Sequence, residues 1–204
     1  MLPDPELFRF EDAEQVLLDL THHDLERDGR ARPHLLAFAG DRIVALVGVR
    51  PFGAGEALQA LVELLSLLLH LDVDRLAMSL PGRAWSLADP IPPVSDDVDL
   101  RTPVLLTIIA DGHRDDRPAV VSSTLHPFGW SDGGWELGAP FRSDEPADGE
   151  VHRALAVLLA ERHELAAGAD AMLLAAQLGR VLLLGHDLVL EPEAMRLLGT
   201  KAGV

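Results

Sequence analysis

Between Gly55 and Leu71 the polar residues Glu56, Gln59, Glu63, Ser66 and His70 recur at steps of three and four on a background of Leu, Ala and Val. That spacing predicts a helix buried on most sides, with one narrow polar stripe left to meet water or a partner. Upstream, Phe10, Ala13, Leu17 and Leu20 fall on one face of a second predicted helix, Phe10 to Leu25, which Gly29 ends. His34 to Ala39 and Arg42 to Val49 are apolar runs around Gly40-Asp41, the pattern of two strands joined by a two-residue hairpin. Arg75 to Leu80 reads as a further strand. A strand, an apolar helix and a strand in this order predict a right-handed βαβ crossover.

The second half alternates strand and loop before it turns helical. Ala88 to Asp99 is a loop rich in Pro and Asp. Thr102 to Ala110 and Pro118 to Leu125 are β-branched-rich strands across a loop from Asp111 to Arg117. Pro127 to Gly138 reads as an aromatic loop that carries Trp130 and Trp135 and covers one end of the core. Phe141 to Gly149 is a polar loop. Glu150 to Ala167 predicts a helix, and Asp170 caps another that stops near Gly179. Val181 to Leu184 and Leu188 to Leu190 read as short strands or extended core segments, and Pro192 opens a closing helix to Leu198. The expected fold is α+β: a single domain over residues 1–204, with one mixed, mainly antiparallel sheet of five or six strands. The Gly55–Leu71 helix packs on that sheet, with a C-terminal helical group beside it.

Composition narrows the function. Hydrophobic residues make up 48% of the 204, aromatic residues only 4%, and Tyr is absent, so aliphatic packing must hold the core. The formal charge is −16, from 33 acidic residues against 17 basic ones, with Lys201 the only lysine. Such a surface repels phosphate backbones and anionic lipid, so neither nucleic acid nor a membrane is an expected partner. There is no cysteine, which removes disulfides, thiolate nucleophiles and Cys-based metal sites. The acidic N-terminus lacks the basic and apolar regions of a signal peptide, so the expected location is cytoplasmic.

Three places carry candidate chemistry. The first is Arg50-Pro51-Phe52-Gly53-Ala54-Gly55, at a strand-to-helix junction. Free N–H groups and the helix dipole favour an anion there, glycines permit close approach, and Arg50 adds charge. The Arg-x-x-Gly-x-Gly spacing resembles the pyrophosphate-binding turn of acyl-CoA N-acetyltransferases of the GNAT superfamily, over roughly Leu35 to Leu80. The resemblance implies an acyl-CoA or nucleotide cofactor held by Arg50, Gly53 and Gly55. The chain departs from that family in the strand before the turn, in Glu56 at the first helical turn, and in everything after Leu80.

The second place is the loop with Asp111, His113, Asp115 and Asp116, together with His126 at the end of the paired strand, a set of metal-binding residue types. Ser122 to Pro127 faintly resembles the His-x-His-Pro motif of JAMM-type isopeptidases, with Thr124 where the first ligand histidine would stand. The third is the aromatic segment with Trp130 and Trp135, able to stack a flat ligand, to anchor a partner or to cover the core.

No cofactor or metal is assigned by these patterns, and whether the chain is an enzyme stays open. The leading expectation is a non-catalytic cytoplasmic domain that acts through protein contacts, with a protein partner or by self-association as a homodimer. The alternatives are an acyl-CoA or nucleotide-binding transferase that uses the Arg50–Gly55 turn, and a metal-dependent hydrolase around Asp111, His113 and His126.

Overall fold

Alternate residues of the same strands feed two separate cores, one on each face of a single sheet. The computed structural model describes residues 9–53, 55–71, 73–86, 88, 90, 99–112, 119–142, 149–162 and 171–190. On β1 (His34–Ala39), Leu35 and Ala37 join a large core with the helices α2 (Ala57–Leu68), α3 (Glu150–Ala160) and α4 (Ala171–Leu183). Leu36 and Phe38 point the other way, into a smaller core under α1 (Ala13–Asp28). This period-two division is what a strand between two helical layers requires. In α2, Leu61, Leu64, Leu65, Leu67 and Leu68 are all fully buried, each stabilising by about 1.5–3 kcal/mol.

The remaining strands are β2 (Arg42–Gly48), β3 (Arg75–Ala84), β4 (Thr102–Asp111), β5 (Val120–Ser131), β6 (Gly134–Leu137), β7 (Phe141–Arg142) and β8 (Asp187–Leu190). They form one eight-stranded sheet in the order β6-β5-β4-β3-β1-β2-β8, with β7 also paired to β5. The α+β class is as expected. The sheet is larger than the expected five or six strands, and every pairing among the described residues is antiparallel rather than mixed.

The strand–helix–strand unit differs from its expectation in a specific way. Both β2 and β3 run antiparallel to β1, so they run in the same direction with β1 lodged between them. The tight β1–β2 turn, with Gly40 at φ 62°, leaves the far edge of β1 free, and β3 takes it. Within the hairpin the register slips between Ala37 and Phe38, which leaves Val44 as the additional residue of a β-bulge. Val44 and Ala45 therefore both face the larger core, while Ile43 faces the smaller one.

The segment expected to be an aromatic loop is instead a hairpin. β5 continues through Pro127 to Ser131, turns at Asp132-Gly133, and returns as β6 with Trp130 opposite Trp135. Val181 to Leu184, expected as a strand or extended core segment, instead carries the last turn of α4, through Leu183. The helix passes through Gly179 and ends where Gly185 takes φ 90° and its N–H donates to the Leu182 carbonyl. The predicted helix end at Ala167, the closing helix from Pro192, and most of the Pro- and Asp-rich loop lie outside the described residues. Among the described residues no helix is long and apolar enough to cross a membrane.

Candidate functional site

The Arg50 turn lies between the end of β2 and the start of α2, and its polar groups are taken by the chain itself. Arg50 Nε donates to Glu63 Oε2 at 2.8 Å, and Nη2 donates to Oε1 at 2.9 Å. The third nitrogen, Nη1, donates to the Pro51 carbonyl at 3.0 Å. Gln59 Nε2 donates to Glu63 Oε1 at 3.2 Å. His186, between α4 and β8, closes the cluster: its Nδ1 accepts from the Arg50 backbone N–H at 3.2 Å, and its Nε2 lies 3.1 Å from Glu63 Oε2. The tautomer with its proton on Nε2 satisfies both contacts. The Arg50 guanidinium, outweighing burial, holds the Glu63 carboxyl down to about 2.

Glu63 is therefore not part of a solvated stripe, as the helical spacing suggested. It is buried, and the residue exposed beside it is Val62. The polar position faces inward because the fixed fork of Arg50 and the His186 ring meet it there.

At Gly53 the N–H that would receive an anion donates to Glu56 Oε2 at 2.8 Å, while Glu56 N–H donates to the Gly53 carbonyl at 3.2 Å. The two contacts close a tight turn just ahead of α2 and leave the Gly53 N–H already bonded to a carboxylate. Gly55 adopts φ 84°, with open space where a Cβ would be. A phosphate at Arg50, Gly53 and Gly55 would have to displace both Glu56 and Glu63. Ala54 lies outside the described residues.

The second candidate set is spread out. Asp111 pairs with Val120 across β4 and β5, whereas His126 pairs with Leu105, which puts Asp111 and His126 about 20 Å apart along the strands. Asp111 Oδ1 accepts from Arg75 Nε at 3.1 Å. His113, Asp115 and Asp116 lie outside the described residues. His126 Nε2 sits 3.1 Å from Glu14 Oε1 of α1, and Thr107 Oγ1 donates to the same oxygen at 2.9 Å. Burial pushes the Glu14 carboxyl up, but hydrogen bonds from Thr124, Thr107 and His126 and the charge of Arg142 bring it below its ordinary value.

A third pair joins Asp24 of α1 to His34 of β1 at 2.8 Å. Burial pushes the His34 imidazole down, against the pull of Asp24. The three histidine–carboxylate pairs thus share one geometry, a helix carboxylate against an imidazole on or beside the sheet. They fasten helices to the sheet. Among the described residues no group of three or more His, Asp or Glu side chains is placed to hold a metal.

The Trp130–Trp135 pair packs edge to face, with ring centroids 5.4 Å apart. Trp135 and Phe128 line a small cleft together with Thr21 and Leu25 of α1, and neither ring belongs to the two cores. Trp130 is 70% exposed.

One surface was not singled out by the sequence patterns. On α4, Leu174, Leu178 and Val181 face the larger core. Met172, Ala176, Gly179 and Leu183 fall together on the opposite side at 100° per residue, with Met172 82% and Leu183 90% exposed. Leu173, Leu182 and Leu184 are exposed beside them. Arg180 is the only charged residue from Ala171 to His186. The signal was available in the sequence, because a helix apolar on all sides needs a second covering surface. Comparison of the chain with protein-family models, with curated proteins and with solved structures finds no match in any of the three.

Proposed function

We propose that the chain is a non-catalytic domain that acts through protein contacts, with α4 as its contact face. The observation that carries this reading is the exposure of Met172 and Leu183 at the two ends of an apolar helix face, each more than four-fifths open to solvent. Large contiguous apolar surfaces on otherwise charged proteins mark interaction sites. The polar groups that chemistry would need support the same reading. Arg50 is spent on Glu63 and the Gly53 N–H on Glu56, and both arrangements tie elements together.

The test pairs an association measurement with a ligand screen. Light scattering over a range of concentrations is expected to give a mass above 22.0 kDa for the unaltered chain, lowered by Leu183→Glu without a change in melting temperature. Acetyl-CoA, nucleotides and divalent cations are expected to leave the melting temperature where it is. A tight ligand at 100 times its Kd would stabilise by about 2.7 kcal/mol and raise the melting temperature by several degrees. That shift, with association indifferent to Leu183→Glu, would replace this reading with a transferase that uses Arg50, Gly53 and Gly55.

A further inference from the structure

We infer that the occupant of the α4 face is a second copy of this chain, docked through α4 in antiparallel orientation about a two-fold axis between Gln177 and Leu178. This rests on the contact reading above and specifies its partner.

The spacing of the face is self-complementary. From Met172 to Ala176 to Gly179 to Leu183 the steps are four, three and four, the same in both directions. Isologous two-fold contacts need a surface that matches its own inverse. Laid antiparallel, Met172 of one copy meets Leu183 of the other at each end, and Ala176 meets Gly179 at the crossing. The large side chains sit where the helices diverge and the small ones where they are closest, which brings the axes toward the near end of the 8–10 Å range of packed helices.

Charge selects the same face. Two bodies of formal charge −16 repel each other, so they meet where acidic residues are absent. The run from Ala171 to His186 has none, in a chain with 33. An unrelated basic partner would instead be drawn to acidic surface, and α4 offers none.

The area is of the right size. Met172, Leu173, Leu182, Leu183 and Leu184 with the neighbouring alanines expose on the order of 600 Å², against about 800 Å² per partner in a standard interface. The position on the fold agrees. Among the described residues α4 packs against α2, and β8, which follows it, is the last strand at its end of the sheet.

The chain has no cysteine, so single introduced cysteines report the geometry cleanly. Met172→Cys and Leu183→Cys are prepared separately, mixed to allow subunit exchange, and oxidised mildly. The expected product is the mixed 172–183 disulfide from the combined sample, with little cross-linking of either variant alone. Identical positions would lie about 16 Å apart along the axis, beyond the Cα separation of less than about 7 Å that a disulfide spans. Both side chains are exposed, so the melting temperature is expected to stay unchanged. As a second variant, Ala176→Leu crowds the crossing and is expected to weaken self-association by about tenfold or more.

Efficient cross-linking of each variant with itself, and none between them, would overturn the antiparallel geometry. So would an association that Leu183→Glu abolishes but that yields no mixed disulfide, although the contact reading would survive. A chain that stays at 22.0 kDa at high concentration would overturn the second copy as occupant.

Discussion

Arg50 and Glu63 form a two-pronged ion pair, at 2.8 and 2.9 Å, across the junction from β2 to α2. Glu63 is buried, and His186 and Gln59 complete its shell. Removing one partner strands the other charge out of water, which costs about 3–5 kcal/mol, whereas replacing both by apolar residues of similar volume costs far less. Arg50→Met, which leaves the buried Glu63 without its cation, is therefore expected to destabilise by about 3–5 kcal/mol, and Arg50→Met with Glu63→Leu together by clearly less than Arg50→Met alone. Arg50→Lys is expected to be damaging as well, since an ammonium cannot reproduce the fork. Urea unfolding of the three variants measures these differences. Equal losses for the single and double variants would show that the pair is not the source of the effect.

Acid is expected to loosen the fold in two stages. His152 of α3 is buried, both ring nitrogens lack a hydrogen-bond partner, and burial pushes its imidazole below the ordinary 6.5. The unfolded chain then takes up a proton near pH 6.5 while the folded one stays neutral, so stability falls as the pH drops below that value. Glu63 acts later. Its carboxyl is held at about 2 against an ordinary 4.5, so its contribution is complete above pH 4.5 and is lost between there and about pH 2. His152→Leu is expected to flatten the first stage and leave the second. Thermal melts at pH 7.5, 5.5 and 3.5 separate the two. An unchanged slope between the first two pH values in the variant would count against His152 as the cause.

How much of this was legible in the chain depends on whether the signal was local. The β1–β2 hairpin could be read from Gly40-Asp41 because turn chemistry is set by neighbours, and α2 from its periodicity for the same reason. The insertion of β1 between β2 and β3 is a long-range pairing that no local pattern encodes. The hairpin at Trp130 and Trp135 was hidden by its glycines, which read as loop although Gly129 and Gly134 both sit in ladder positions. At the Arg50 turn the charge of Glu56 was legible, although it stands just ahead of α2 rather than in its first turn. The occupation of Glu63 by Arg50 and His186 was not, because His186 is 123 residues away. The apolar character of α4 was visible all along, but its exposed side only becomes a surface once the sheet shows which side is covered.

The two tryptophans of the hairpin differ in what they hold. Trp135 packs on Phe128, at 5.9 Å between centroids, and on Trp130, and it lines a small cleft shared with α1. Trp130 touches Trp135 and is otherwise open. Trp135→Ala is expected to cost roughly half the 3–5 kcal/mol of a fully buried ring. Trp130→Ala is expected to cost about 1 kcal/mol, the worth of the aromatic pair. Thermal melts rank them, and acrylamide quenching of the remaining fluorescence is expected to fall sharply only in Trp130→Ala. The reverse ranking would mean that the hairpin tip, not its base, is what anchors β6 to α1.

Gly112, just beyond β4, lies close against Leu159 of α3. Its N–H donates to the Asp74 carbonyl at 2.9 Å, and a Cβ added there would lie 3.0 Å from that oxygen and 3.0 Å from Cβ of Leu159. Neither neighbour is the free end of a side chain. Asp74 is itself tied down, since its N–H donates to the Phe38 carbonyl and its Oδ1 accepts from Gly40 N–H, and Leu159 is fully buried. An alanine must therefore push α3 outward or break the Asp74 contact, and overpacking of this kind costs about 1–3 kcal/mol. Gly82 of β3 provides the comparison, with nothing within 4 Å of its own added Cβ. Gly82→Ala removes only unfolded-state freedom and is expected to be neutral or slightly stabilising. Chemical denaturation of the two variants side by side is expected to move the midpoint down for Gly112→Ala and leave it or raise it for Gly82→Ala. If both midpoints moved equally, α3 would be able to ride away from the sheet at no cost.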